Sequence, residues 1–83
     1  MGFPLDSLKP MYLSVADEIE RRIRAGEMLP RTRVPSARSL AAEAGVSTRT
    51  SEAALRVLRE RGLTVAVHGV GTFVAPDIPP ESD

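Results

Sequence analysis

Apolar residues recur along this chain with two different periods, and the change of period divides it. From Met11 to Ala25 the apolar positions are Tyr12, Val15, Ala16, Ile19 and Ile23, spaced as one stripe of an α-helix. Arg21, Arg22 and Arg24 fall mostly off that stripe, and Gly26 supplies a C-terminal stop. The stretch MLPRTRVP has two prolines and no helical period. It reads as a connector, with room for one short strand at Arg33-Val34. Ser36 is placed to cap a second helix, Ala37 to Ala44, with Leu40, Ala41 and Ala44 facing inward. Gly45 ends that helix, Val46 and Ser47 turn the chain, and Ser47 caps a third helix from Thr48 to Arg61. On a helical wheel Ser51, Ala54, Leu55 and Leu58 share its inner face. Arg49, Glu52, Ala53, Arg56 and Glu60 share its outer face.

After Gly62 the period drops to two. Leu63, Val65 and Val67 alternate as one face of a strand, His68-Gly69-Val70-Gly71 makes a turn, and Thr72-Phe73-Val74 returns. An isolated hairpin is marginal, so Phe73 and the valines are expected to pack against the helices. Residues 1–9, punctuated by Pro4 and Pro10, read as an N-terminal arm. Residues 76–83, with three prolines and three acids, read as a disordered tail. The ordered domain is expected to run from 10 to 75. The fold class that follows is α+β and mostly α. It is a winged helix-turn-helix, three helices followed by a β-hairpin wing, with the second and third helices joined by a short glycine-containing turn.

Composition narrows what such a domain does. Eighty-three residues make one small domain, which buries roughly 60–65% of its unfolded surface. There is no cysteine, and the single histidine, His68, builds neither a metal site nor a triad. No metal and no cofactor are expected. Asp17, Glu18 and Glu20 form a surface carboxylate cluster on the first helix, with no nucleophile–base pair near them, so no enzyme is expected. Gly69-Val-Gly is not a phosphate loop, because no Gly-Lys-Ser/Thr follows. No apolar run is long enough to span a membrane, and MGFPLDSLKP lacks the pattern of a signal peptide. A cytoplasmic location and no membrane partner are the expectations.

The charges are unevenly distributed along the chain. Lys and Arg total 11, and so do Asp and Glu, giving a formal net charge of zero. Residues 1–20 hold one Lys and four acids, and residues 62–83 hold three acids with no Lys or Arg. Residues 21–61 hold ten Arg and four acids. Arginine suits phosphate and guanine edges, so the basic middle of the chain points to nucleic acid, the alternative being the helix surfaces of an arginine-rich proteome.

Several separated motifs stand in an order that carries a resemblance. Pro10-Met-Tyr, Ala16-Asp-Glu-Ile, Arg24-Ala-Gly-Glu, Arg33-Val-Pro-Ser and Arg38-Ser-Leu-Ala-Ala-Glu come first. Gly45-Val-Ser, Ala54-Leu, Leu58, Gly62-Leu and Gly69-Val-Gly-Thr-Phe-Val follow. Together, over roughly residues 10–75, they resemble the DNA-binding domain of the GntR family of bacterial transcription regulators. The resemblance implies a winged helix that binds double-stranded operator DNA as a dimer. Its third helix, 48–61, would enter the major groove, the start of the second would hold phosphate, and the wing tip, 68–71, would reach the minor groove. Carried over position by position, Ser36 and Arg38 match second-helix contacts, Ser47 and Thr50 match contacts at the start of the third helix, and His68 and Gly69 match the wing tip.

The departures are equally specific. Ala37 stands where the family usually has glutamate. Thr48 stands where it has arginine, with Arg49 one position later, and Glu52 replaces a second arginine one turn on. Ala66, Val67 and Val70 stand where the wing is usually basic. Family members normally also carry a larger C-terminal effector-binding domain, which these 83 residues do not contain.

Each candidate has a structural and a functional reading. Arg49 is the base-reading candidate, since a bidentate Arg–guanine contact is worth about 1–3 kcal/mol; otherwise it is a solvated arginine at a helix start. Glu52 either accepts a hydrogen bond from a cytosine amino group or pairs with Arg56 four residues on, worth about 0.3–0.5 kcal/mol. Arg38 is a candidate phosphate contact helped by backbone amides. Ser36 and Ser47 are caps whose hydroxyls can also serve DNA, and His68 is a groove contact or an ordinary turn residue. Arg21, Arg22, Arg24, Arg56, Arg59 and Arg61 read mostly as solvated helix faces. The expected function is a sequence-specific DNA-binding transcription regulator of GntR type, acting on a palindromic operator as a homodimer, with no small-molecule effector site on this chain. The alternative is a winged-helix protein-interaction module, a partner of another regulator, with weak or sequence-blind DNA binding.

Overall fold

The computed structural model describes residues 3–81. Helix α1 spans Met11–Arg24, α2 Ala37–Ala44 and α3 Thr48–Glu60; strands β1, Thr64–Val67, and β2, Gly71–Val74, follow. The caps set these limits. Ser36 Oγ accepts from the Ser39 amide at 3.1 Å and Ser47 Oγ from the Thr50 amide at 3.0 Å, each relieving one unpaired donor of a first turn. Gly45 takes the left-handed conformation, φ 73°, that closes α2. Helices α1 and α3 each stop one residue short of expectation, because Ala25 and Arg61 serve as their C-caps.

The core forms where the three helices meet the root of the hairpin. Val15, Ala16, Ile19 and Ile23 of α1 close on Leu40 and Ala44 of α2, on Ala54 and Leu58 of α3, and on Val34, Leu63 and Val74. Each large side chain fully buried here contributes about 1.5–3 kcal/mol. Leu55, expected at the centre of the inner face, is only half-buried. Ser51 is fully buried on that face of α3. Its hydroxyl donates toward Ala37 O and Thr48 O, so α3 is tied to the first residue of α2.

The strands pair antiparallel, with Thr64 opposite Val74, Val65 opposite Phe73, Ala66 opposite Thr72 and Val67 opposite Gly71. The loop is therefore three residues, 68–70, and Gly71 belongs to β2 rather than to the turn. The expected facing of the hairpin is also corrected. Leu63 is buried, but from the turn before β1, where its amide bonds to Leu58 O. Within β1 only Thr64 turns inward, and the three residues after it are exposed. Val65 and Val67 face out at 41% and 45% exposure, Phe73 is half-buried, and only Val74 of this group lies fully in the core.

Thr64 is 2% exposed, and its Oγ1 has no hydrogen-bond partner among the described residues. A buried hydroxyl without a partner costs about 1–3 kcal/mol. Thr64→Val is therefore expected to stabilise the domain by about 1 kcal/mol, raising the thermal midpoint by roughly 4–8 °C in circular dichroism. A lower midpoint would mean that the hydroxyl is satisfied.

The connector runs beside β2. Val34 N–H donates to Thr72 O and Val74 N–H to Thr32 O, both at 2.8 Å, and Arg31 N–H donates to Val74 O at 2.9 Å. The strand expected at Arg33-Val34 is a single bridge, Arg33 to Phe73. The two chain ends are less free than their composition suggests. Phe3 and Leu5 of the arm pack against the core, and Ser14 Oγ exchanges hydrogen bonds with the Asp6 backbone. The tail expected to be disordered reaches back along α1. Ile78 packs against the core, and Arg24 Nη1 donates to Pro79 O at 2.8 Å. Residues 1, 2, 82 and 83 of these segments lie outside the described residues.

Candidate nucleic-acid interface

The helix-turn-helix exposes one side of α3. Ser51, Ala54 and Leu58 are buried, while Thr48, Arg49, Glu52 and Arg56 are exposed and Thr50 is half-buried. Ser36, at the start of α2, and Arg38, in its first turn, are exposed, as are His68 and Gly69 on the wing. Gly69 sits at φ 76°, which suits the turn to glycine. The cap hydroxyls also reach one residue type further: Ser36 Oγ donates to Ser39 Oγ at 3.1 Å and Ser47 Oγ to Thr50 Oγ1 at 2.9 Å. Ser39 was not singled out from the sequence, although its position three residues after a cap is the available signal.

An open recess joins several of these elements. Ser36 and Ser39 of α2, Leu55 of α3, Gly71 and Thr72 of β2, and Arg33 of the connector line it. His68 and Gly69 do not line it, so the structure brings the wing root, rather than the tip, next to the start of α2.

The ion pairs divide the arginines into two sets. Glu18 is buried in α1 and accepts from Arg21 at 3.0 Å and from Arg22 at 2.8 Å. Arg21 also reaches Glu27, and Arg22 reaches Glu43 of α2 at 3.0 Å while stacking over Phe3. Arg24 pairs with Glu20, and Arg61 of the α3 C-cap pairs with Asp17 and Glu20. Hydrogen bonds from Arg21, then from Arg22, hold the Glu18 carboxyl down to about 2 against the opposing effect of burial. Arg21, Arg22, Arg24 and Arg61, expected mostly as solvated faces, are thus engaged in ion pairs, with Arg21 and Arg61 still exposed and Arg22 and Arg24 half-buried. Arg31, Arg33, Arg38, Arg49, Arg56 and Arg59 make no ion pair among the described residues. Neither does Glu52: the weighed pairing with Arg56 does not form. Two exposed side chains gain too little from such a pair to outweigh their loss of freedom.

A family model described as Bacterial regulatory proteins, gntR family, matches residues 11–74. The histidine utilization repressor of Klebsiella aerogenes is 42% identical over 72 residues, 87% of this chain and 30% of that protein. The Mannosyl-D-glycerate transport/metabolism system repressor MngR of Escherichia coli is 39% identical over 66 residues, 80% of this chain and 28% of that protein. The chain spans under a third of the length of these relatives. Among solved structures, the DNA-binding domain of AraR in complex with operator ORX1 superposes with a TM-score of 0.76 at 37% identity, covering 90% of this chain and 92% of that one. YtrA from Sulfolobus acidocaldarius, a GntR-family transcription factor, superposes at 0.84 and 31% identity, covering 94% of this chain and 84% of that one.

Proposed function

Because the chain belongs to the gntR family of bacterial regulatory proteins, we propose that it is the DNA-reading part of a cytoplasmic transcription regulator. It presents α3 to the major groove of an operator and binds as a homodimer on a palindromic site. The observation that carries this reading is the sorting of the arginines. Those of α1 and the α3 C-cap are paired, while those of the connector, the start of α2 and the outer face of α3 have no counter-ion among the described residues. Unpaired arginines of this kind suit phosphate neutralisation and base-edge hydrogen bonds.

In this reading Ser36 and Arg38 hold the backbone at α2. Ser47, Thr48, Arg49, Thr50 and Glu52 face the groove, and His68 with Gly69 meets the minor groove. The test is in-vitro selection from a random duplex library at two salt concentrations, with the mass of the complex. The expected result is a palindrome with half-sites about one DNA turn apart, bound by two chains with an affinity in the roughly nanomolar range. A monomer with no preference among duplexes would overturn it. The exposed Val65, Val67 and Val70 favour the second reading, a protein-interaction module. Sequence-blind binding that vanishes by about 200 mM salt would support that reading instead. Arg38→Ala is expected to weaken binding equally on every duplex and to lower the salt slope by about one. Anisotropy titrations checking this would assign Arg38 to base reading if the loss differed between duplexes.

A further inference from the structure

We infer that Arg33 is a further backbone contact of this interface, holding a DNA phosphate between the wing root and the start of α2. The inference deepens the function proposed above and rests on it. Arg33 stands in the connector opposite Phe73, and its guanidinium lies over the Phe73 ring, 5.4 Å from the centroid. Gly71, two residues before Phe73 on the same strand, leaves the head group room. A Cβ at Gly71 would stand only 3.0 Å from Arg33 Nη1. The head group stays exposed, but it rests on an aromatic face in space that a side chain at position 71 would fill. A guanidinium ordered this way loses little freedom when it takes up an anion.

Its surroundings suit an anion of phosphodiester type. The recess it lines holds about 710 Å3 and is open to the surface. Among the described residues Arg33 is the one charged group in its lining, beside the hydroxyls of Ser36, Ser39 and Thr72. No carboxylate reaches the guanidinium among the described residues. The walls come from α2, α3 and β2, the elements assigned to DNA, so a duplex lying on α3 and the wing passes over this recess. The cationic wing that the neighbouring sequence lacks is replaced, in this chain, by an arginine reaching the wing root from the connector.

The experiment uses the full chain with two duplexes of about 30 base pairs. One has random sequence and the other is recovered by selection, and both are titrated at about 50 and about 200 mM salt. Arg33→Gln is expected to weaken both duplexes by the same factor, about fivefold at the lower salt, and to lower the salt slope by about one. Arg33→Lys keeps the slope. An unchanged slope in Arg33→Gln, with or without a lower thermal midpoint, would make Arg33 a structural brace and overturn the assignment while leaving the DNA-binding function standing. Absence of wild-type binding to either duplex would remove both. Labelling of the wild-type protein with phenylglyoxal gives the same decision should Arg33→Gln not fold. Arg33 should react in the free chain and be protected by either duplex, and equal labelling in both states overturns the contact.

Discussion

Glu18→Ala is expected to destabilise the domain by about 2–3 kcal/mol, a large share of what a chain of this size can spare. Glu18 is 7% exposed and engages Arg21 and Arg22 together. Through Arg22 it also touches Glu43 of α2 and Phe3 of the arm, and through Arg21 it reaches Glu27 after the helix. Removing it leaves two partly covered cations without their shared acceptor. The estimate stays below that for a fully buried pair because the Arg21 side chain is 53% exposed and water screens it. Lys9–Asp17, with side chains 40% and 38% exposed, serves as the control, and Asp17→Ala there is confounded only by the additional Arg61 contact.

The same residue sets an acid limb. The carboxyl is held to about 2 in the native state, against an ordinary value of 4.5. The unfolded chain therefore binds a proton first as pH falls. The contribution is complete above about 4.5 and is lost progressively as pH drops toward about 2. Urea midpoints of the wild type should fall across that window, and those of Glu18→Gln should fall less steeply. Parallel curves would show that other carboxylates dominate acid unfolding.

Arg49→Ala is expected to relax base preference at one position of each half-site. The cost on the preferred duplex is about 1–3 kcal/mol, with little change on random DNA. Arg49 is exposed in the first turn of α3 and makes no ion pair among the described residues. Nothing in the fold depends on its head group, so its loss should leave the thermal midpoint in place. Glu52 lies one turn of the outer face away, also unpaired. Glu52→Gln is expected to strengthen random-sequence binding, since a carboxylate beside phosphates is repelled, while blurring the neighbouring base position. Selection profiles of the two variants, set against the wild type, check both. Equal losses on all duplexes for Arg49→Ala would reassign it to the backbone.

Helix limits were legible in the sequence because they are local. Ser36 and Gly45 bracket α2 as expected, and Ser47 opens α3 at Thr48. The inner face of α3 was legible from Ser51, Ala54 and Leu58, since their spacing alone places them together. What escaped depends on distant partners. Arg61 finds Asp17 and Glu20 more than forty residues away in the chain, and Arg22 finds Glu43 across two helices. Periodicity carries no trace of either, so these arginines read as solvated. The wing was misjudged for a related reason. Leu63 enters the core before β1 begins, and beyond Thr64 the strand projects past the helices, so the alternation counted from Leu63 has no core to face. Arg33 is the same lesson at the interface: an arginine in a proline-flanked connector says nothing of Phe73 until the chain is folded.

The hydrogen bonds between the connector and β2 have a consequence for the DNA as well as for the protein. Residues 31–34 are pinned along β2 and lead, within two residues, into the Ser36 cap. The span from the wing to the start of α2 is therefore a calibrated gauge. A duplex that touches both must fit its own groove width and curvature to that length. Sequences whose steps yield cheaply would be favoured over stiff ones, even at base pairs that no side chain reaches.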